Sequence, residues 1–113
     1  MANFETLFVV VNAGFTETVM LAAREAGANG GTIIHGRGAG SILAQKKYGI
    51  AITPEKEIII ILVKKSLADK VMNAVYKTAG VGTPAAGIIF SLPAERVVGL
   101  KYDLEDQDRK SVV

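Results

Sequence analysis

The stretch "EIIIILVKKSLADKVMNAVYKTAG", Glu57 to Gly80, predicts a strand that runs into a helix. The apolar run Ile58–Val63 has no polar alternation, which is typical of a strand covered on both faces. Ser66 and Asp69 then have the spacing of a capping box at a helix start, and Gly80 is a typical helix end. The buried face of this helix is predicted at helical spacing, at Leu67, Val71, Ala74 and Val75.

The N-terminal third predicts a similar unit in the order strand, helix, strand. "FETLFVVVN", Phe4 to Asn12, is rich in β-branched and aromatic residues and is typical of a strand. The next helix is expected to begin with Thr16 as its N-cap and to end at Gly27, followed by a strand over Thr32–His35. Its buried face is predicted at Val19, Ala22, Ala23 and Ala26.

Two more short strands are expected after the second helix. They are "IIFSLP", 88–93, and "ERVVGLK", 95–101, with Pro93 between them. The resulting fold class is α+β, a ferredoxin-like βαββαβ sandwich with a long loop between strands 2 and 3. Residues 1–102 form one domain, and 103–113 form an acidic tail that we expect to be mobile.

The central strand predicts self-association. The helices of such a fold cover one face of the sheet, while the isoleucine run indicates that both faces are buried. Neighbouring copies of the chain are the simplest cover for the second face, so we expect a homo-oligomer.

Composition limits the function. The chain has 113 residues, a net charge of +2, a mean hydropathy of +0.33 and no cysteine. Without cysteine it has no disulfide and no thiolate site, which fits a cytoplasmic location. The longest apolar run is far below the roughly 20 residues that span a bilayer. Residues 1–102 carry eleven Lys/Arg and seven Asp/Glu, a balance of +4 that suits small anions better than nucleic acid.

Two glycine-rich segments are candidate anion sites. "GTIIHGRGAGS", 31–41, opens a long loop over 37–54, and "AGVGTPAAG", 79–87, follows the second helix. Clustered backbone N–H groups in such loops form anion-binding concavities. Arg37 can grip a phosphate or a carboxylate at two points, although an exposed loop cation explains it as well. His35, the one histidine, can donate a hydrogen bond at the mouth of such a site.

Other functional classes find little support in the sequence. It contains no catalytic triad, no carboxylate pair at catalytic spacing and no metal-ligand cluster, so we expect a protein that is not an enzyme. RNA-recognition domains share the element order but stack bases on aromatic residues of their middle strands. Here those strands are "TIIH" and "EIIIILV", which have no aromatic residue.

Three motifs resemble the PII signal-transduction family over about residues 4–102. They are "KTAGVGTPAAGIIF" at 77–90, "GRG" at 36–38 and "ERVVGLK" at 95–101. The resemblance implies a homotrimer that binds an adenine nucleotide (AMP, ADP or ATP) between subunits. The copper-tolerance CutA group also forms trimers of this fold, but this chain has no cysteine and one histidine for a metal.

The resemblance also implies roles for individual residues. Backbone at the first loop would approach the nucleotide, the second loop would be bracketed by its glycines, and Lys101 would face the phosphates. Lys56, at the far base of the long loop, and His35, at the mouth of the binding cleft, would contact the effector or the phosphates. The implied nucleotide-binding set is Gly36, Arg37, Gly38, Gly82, Thr83, Gly87 and Lys101.

The long loop is the implied control element. Family members regulate a partner protein, often a membrane transporter or a metabolic enzyme, through this loop. Lys46, Lys47 and Tyr48 are the candidate partner contacts in this chain, and a solvated loop tip is the equal alternative. The resemblance implies neither binding to nucleic acid nor insertion into a membrane.

Several positions depart from the family pattern. Ala86 and Ile88 stand where an acid and a lysine are usual, Gly99 replaces an arginine, and Ala39-Gly40 replaces Arg-Gln. The missing glutamine leaves magnesium and 2-oxoglutarate binding open. The alternative function is therefore a trimeric sensor of another small anionic metabolite, or a scaffold with a degenerate nucleotide site.

Overall fold

A computed structural model describes residues 3–39 and 54–99. The elements in chain order are β1 (Phe4–Asn12), α1 (Thr16–Glu25), β2 (Thr32–Arg37), β3 (Glu55–Lys64), α2 (Lys65–Ala79) and β4 (Ile88–Ala94). The strands form one antiparallel sheet in the order β2-β3-β1-β4. The predicted α+β, ferredoxin-like arrangement is confirmed for these elements.

The core lies between the two helices and one face of the sheet. Leu7, Val9 and Val11 of β1 are opposite Ile61, Ile59 and Glu57 of β3, and alternate residues of each strand are buried. The predicted buried faces of both helices are confirmed, with two positions of α2 only partly buried. Val19, Ala22 and Ala23 of α1 and its C-cap Ala26 are buried, as are Val71 and Val75 of α2, with Leu67 and Ala74 packed against the core.

Both predicted N-caps are wrong. Phe15 precedes α1 and Lys64 precedes α2, and neither helix has a side-chain cap hydrogen bond. The second case has a clear cause, because β3 passes into α2 without a turn and Ser66 is already inside the helix. The backbone N–H of Lys65 instead donates to the carbonyl of Asn3, at 2.9 Å.

The strand boundaries differ from prediction at two places. β2 extends through Gly36 to Arg37, so the first glycine pair lies partly on the sheet. β4 continues through Pro93 to Ala94, which an edge strand permits because one side of its backbone needs no ladder hydrogen bond. The predicted fifth strand is wrong over 95–99, where Gly99 has a φ of +107° that breaks an extended path.

The second face of the sheet is apolar, and neither of the two described helices lies on it. Phe8 and Phe90 stack there, with ring centroids 5.1 Å apart and planes at 9°. Ile34, Ile88 and Leu92 are largely exposed on the same face. Within 3–39 and 54–99, the prediction that β3 is covered on both faces is met on the helix side only. The described helices include none long and apolar enough to cross a membrane.

Candidate functional site

Both glycine-rich segments lie at the same end of the sheet. β1 and β2 end there, while β3 and β4 begin there, as the antiparallel registers require. The sheet thereby brings Gly36–Gly38, Lys56 and the second loop to the same end of the domain. Lys46, Lys47, Tyr48 and Lys101 lie outside the described residues.

The first glycine segment lies against Lys56. Gly36 is opposite Lys56 in the β2–β3 register, and Arg37 is opposite Glu55. The N–H of Gly38 donates to the carbonyl of Pro54 at 2.8 Å, which closes the base of the long loop. A Cβ atom on Gly38 would lie 3.2 Å from Cε of Lys56, so a glycine lets the backbone approach the lysine stem.

Lys56 is connected to the second loop through one asparagine. Its Nζ donates to Oδ1 of Asn12 at 2.8 Å, and Nδ2 of Asn12 donates to the carbonyl of Pro84 at 3.0 Å. The backbone N–H of Asn12 also donates to the carbonyl of Ala85, at 2.9 Å. A line of hydrogen bonds therefore crosses from β3 over β1 to the loop before β4.

The second loop is held by its own backbone. Thr83 donates both its hydroxyl and its N–H to the carbonyl of Gly80, at 2.8 and 3.2 Å, and the N–H of Gly87 donates to the carbonyl of Ala79 at 2.7 Å. Gly82 has a φ of +92°, and Ala86 is in the left-handed region at +50°. The Thr83 hydroxyl proton and the Gly87 N–H are already used in these bonds. Either residue would therefore fix the backbone shape of an anion site rather than donate a hydrogen bond to the anion.

His35 faces a buried carboxylate. Its Nδ1 lies 3.4 Å from Oε2 of Glu57, and Oε1 of Glu57 accepts the N–H of Gly14 at 3.0 Å. Glu57 is buried, with a relative exposure of 9%, whereas the His35 side chain is 77% exposed. Glu57 thus ties the turn after β1 to the end of β2, on the helix side of the sheet.

Sequence reasoning missed Asn12 and Glu57 as parts of this site. A polar residue at the end of an otherwise apolar strand was the available signal at both positions, since Asn12 ends "FVVVN" and Glu57 begins "EIIIILV". Neither signal names the partner, which comes from a distant part of the chain.

The described parts of the two glycine segments do not meet within one chain. β2 and β4 are the opposite edges of the sheet, and three strand spacings separate them by about 14 Å. Lys56 and Asn12, on the two middle strands, occupy the interval. Among the described residues, no three His, Cys, Asp or Glu side chains are grouped to hold a metal ion.

Comparison with solved structures supports the fold. The chain is similar to Arabidopsis thaliana PII bound to citrate, with a TM-score of 0.65 and 22% identity over 88% of this chain and 85% of that one. It is also similar to the Bacillus subtilis GlnK–ATP complex, with a TM-score of 0.62 and 21% identity over 84% and 85%. At these identities the likeness shows the fold alone.

The family follows from a sequence comparison. The family model for nitrogen regulatory protein P-II matches residues 4–103, which is nearly the whole chain and includes both glycine segments. This match agrees with the element order, the sheet topology and the motifs at 36–38 and 77–90. The chain belongs to the nitrogen regulatory protein P-II family, and is therefore a regulatory signalling protein rather than an enzyme.

Proposed function

We propose that this protein binds an adenine nucleotide between the subunits of a homotrimer and controls a partner protein through the loop over 37–54. The observation that carries the proposal is that Gly36–Gly38, Lys56 and the second glycine loop all lie at the same end of the sheet. A cytoplasmic location stays a prediction from the cysteine-free composition.

Lys56 is the central cation of the proposed site. An ammonium group has three donors, and the hydrogen bond to Asn12 uses one of them. Within the part of the chain that the structure describes, two remain for a phosphate or carboxylate oxygen. Arg37 is exposed at the end of β2 and adds a guanidinium that can bind an anion at two points.

The trimer is proposed from the apolar sheet face. Phe90 and Leu92 are 45% and 53% exposed beside the stacked Phe8, and a contiguous apolar patch of this kind marks an interface. A second subunit would also supply the groups that one chain lacks, because its two glycine segments lie at opposite sheet edges.

The two similar structures contain ligands of two classes. Bacillus subtilis GlnK is described in complex with ATP, and Arabidopsis thaliana PII as bound to citrate. Citrate supports the second candidate function, a sensor of another small anionic metabolite. The uncharged Ala86, Ile88 and Gly99 favour it too, since they weaken the case for a triphosphate.

Control of a partner rests on the position of the long loop. Gly38 and Pro54 join its two ends directly beside Lys56. An anion can bias such a loop through different contacts in its two states. Lys46, Lys47 and Tyr48 remain the proposed contacts for a transporter or a metabolic enzyme.

Calorimetric titration tests the proposal. The ligands are AMP, ADP, ATP and citrate, each with and without magnesium and 2-oxoglutarate. We expect micromolar binding of one nucleotide, and Lys56→Ala or Lys101→Ala should weaken it by about 1–3 kcal/mol, the range for a hydrogen bond to a charged group. Lys70→Ala, on the exposed face of α2, is the matched control and should bind normally.

Two results would decide against an adenine nucleotide. Absence of heat at two temperatures, from a folded protein, would reject it outright. Citrate binding without nucleotide binding would select the metabolite sensor instead.

A further inference from the structure

Asn12 bonds to both halves of the candidate site. We propose that Asn12 is a positioning residue that couples Lys56, at the base of the long loop, to the second glycine loop. The consequence for ligand binding rests on the proposed function, whereas the coupling itself rests on hydrogen bonds within the chain.

The asparagine side chain can satisfy its partners in one orientation only. Oδ1 accepts from the Lys56 ammonium at 2.8 Å, and Nδ2 donates to the Pro84 carbonyl at 3.0 Å. Turning the amide over would set a donor against the ammonium and an acceptor against the carbonyl. Displacement of either partner is therefore transmitted to the other through a rigid planar group.

The backbone of Asn12 strengthens this connection. Its N–H donates to the carbonyl of Ala85, next to Pro84, at 2.9 Å. Two successive carbonyls of the second loop are thus fixed by one residue of β1. The N–H groups of Ala86 and Gly87, which donate to Thr83 and Ala79, close the loop immediately beyond them.

The coupling has a functional consequence. The interaction free energy between two sites is the same in both directions. If the Lys56 ammonium stabilises the ordered second loop, the ordered loop therefore stabilises the position of the ammonium by the same free energy. An anion on the two remaining Lys56 donors would stabilise the loop, and contacts at the loop would stabilise the lysine.

Hydrogen exchange of the ligand-free protein tests the coupling in a double-mutant cycle. The proteins are wild type, Lys56→Met, Asn12→Ala and the double variant, and the readout is amide exchange over 81–87. We expect each single variant to speed exchange by about threefold or more, the low end for residues in one hydrogen-bond network. The double variant should exchange no faster than Asn12→Ala alone. Multiplicative effects of the two changes would overturn the proposal.

Asn12→Asp separates coupling from a loss of packing. The aspartate keeps an acceptor for Lys56 but places an oxygen against the Pro84 carbonyl. We expect exchange over 81–87 to rise as in Asn12→Ala while the fold is retained. Unchanged exchange over 81–87 in Asn12→Asp would contradict the proposal. Asn12→Asp therefore also tests the proposal if Asn12→Ala fails to fold. Lys70→Met is the control and should leave 81–87 unaffected.

ATP titration of the same proteins gives the second readout. If wild type binds ATP, Asn12→Ala should bind it about fivefold more weakly, a typical lower coupling, and undiminished affinity would count against the consequence for binding. If wild type binds no anion, the proposed function fails while the exchange cycle still decides the role of Asn12.

Discussion

Glu57 is a buried carboxylate whose two oxygens have different partners. Oε1 accepts the Gly14 N–H at 3.0 Å and Oε2 lies 3.4 Å from His35. Glu57→Ala would leave the Gly14 N–H without this acceptor, and we expect it to lower the free energy of unfolding by about 1–3 kcal/mol. Urea unfolding followed by circular dichroism measures the change.

His35→Ala is the matched control for Glu57. The histidine side chain is 77% exposed, so its loss should cost less than about 1 kcal/mol, as for most substitutions of exposed side chains. Glu57→Gln keeps an acceptor for Gly14 and should fall between the two. Equal losses in Glu57→Ala and His35→Ala would show that the bond to Gly14 contributes little.

Gly87 is required by the close approach of two backbone segments. A Cβ atom there would overlap the carbonyl oxygen of Ala79 and lie 3.0 Å from Cγ1 of Val11. We expect Gly87→Ala to destabilise the fold by about 1–3 kcal/mol, as in overpacked cores. Gly30→Ala meets nothing within 4 Å and should be nearly neutral; similar urea midpoints for the two would refute the steric argument.

Candidate site positions could be picked out where the signal is local, and their binding roles stay predictions. The glycines at 36, 38, 82 and 87 stand out from their spacing, and Lys56 from the family resemblance. Asn12 was not predictable as a positioning residue, because its partner Pro84 is 72 residues away and Lys56 is 44 away. Such pairs exist only after β1, β3 and β4 have paired.

Elements with strong periodicity were predicted almost to the residue. β1 has the bounds read from "FETLFVVVN", and α2 ends before Gly80 as expected. The errors fall at helix starts, at the end of β2 and at the segment from Pro93 onward, where tertiary contacts decide. One example is the Lys65 N–H, which bonds to Asn3 from a separate part of the chain.

The exposed face of β4 can be tested as a subunit interface. Phe90 is 45% exposed and stacks on Phe8, so Phe90→Glu would place a charge in the proposed subunit interface. We expect light scattering after gel filtration to show a trimer for wild type and a monomer for Phe90→Glu. Leu21→Glu, at a position 61% exposed on the helix side, should stay trimeric. A trimeric Phe90→Glu variant would show that the subunit interface lies elsewhere.

Gly38 and Pro54 close the base of the long loop at one end of the sheet, and Lys56 lies beside that closure. If anion binding at Lys56 alters the conformation of the loop, the rate of trypsin cleavage after Lys46 and Lys47 should change. We expect saturating nucleotide to change cleavage there by about fivefold or more, the range typical of allosteric coupling. Gel electrophoresis with mass spectrometry of the fragments measures the rate at each lysine.

Lys56→Ala shows whether that response passes through the lysine. Each variant is compared at a nucleotide concentration scaled to its own Kd, so that occupancy is equal and weaker binding does not by itself remove the effect. The response should shrink in Lys56→Ala and persist in Lys70→Ala, which changes an exposed lysine of α2. Equal cleavage with and without nucleotide in wild type would show that binding and the loop are uncoupled, since a ligand shifts a conformational equilibrium only through its different affinity for the two states.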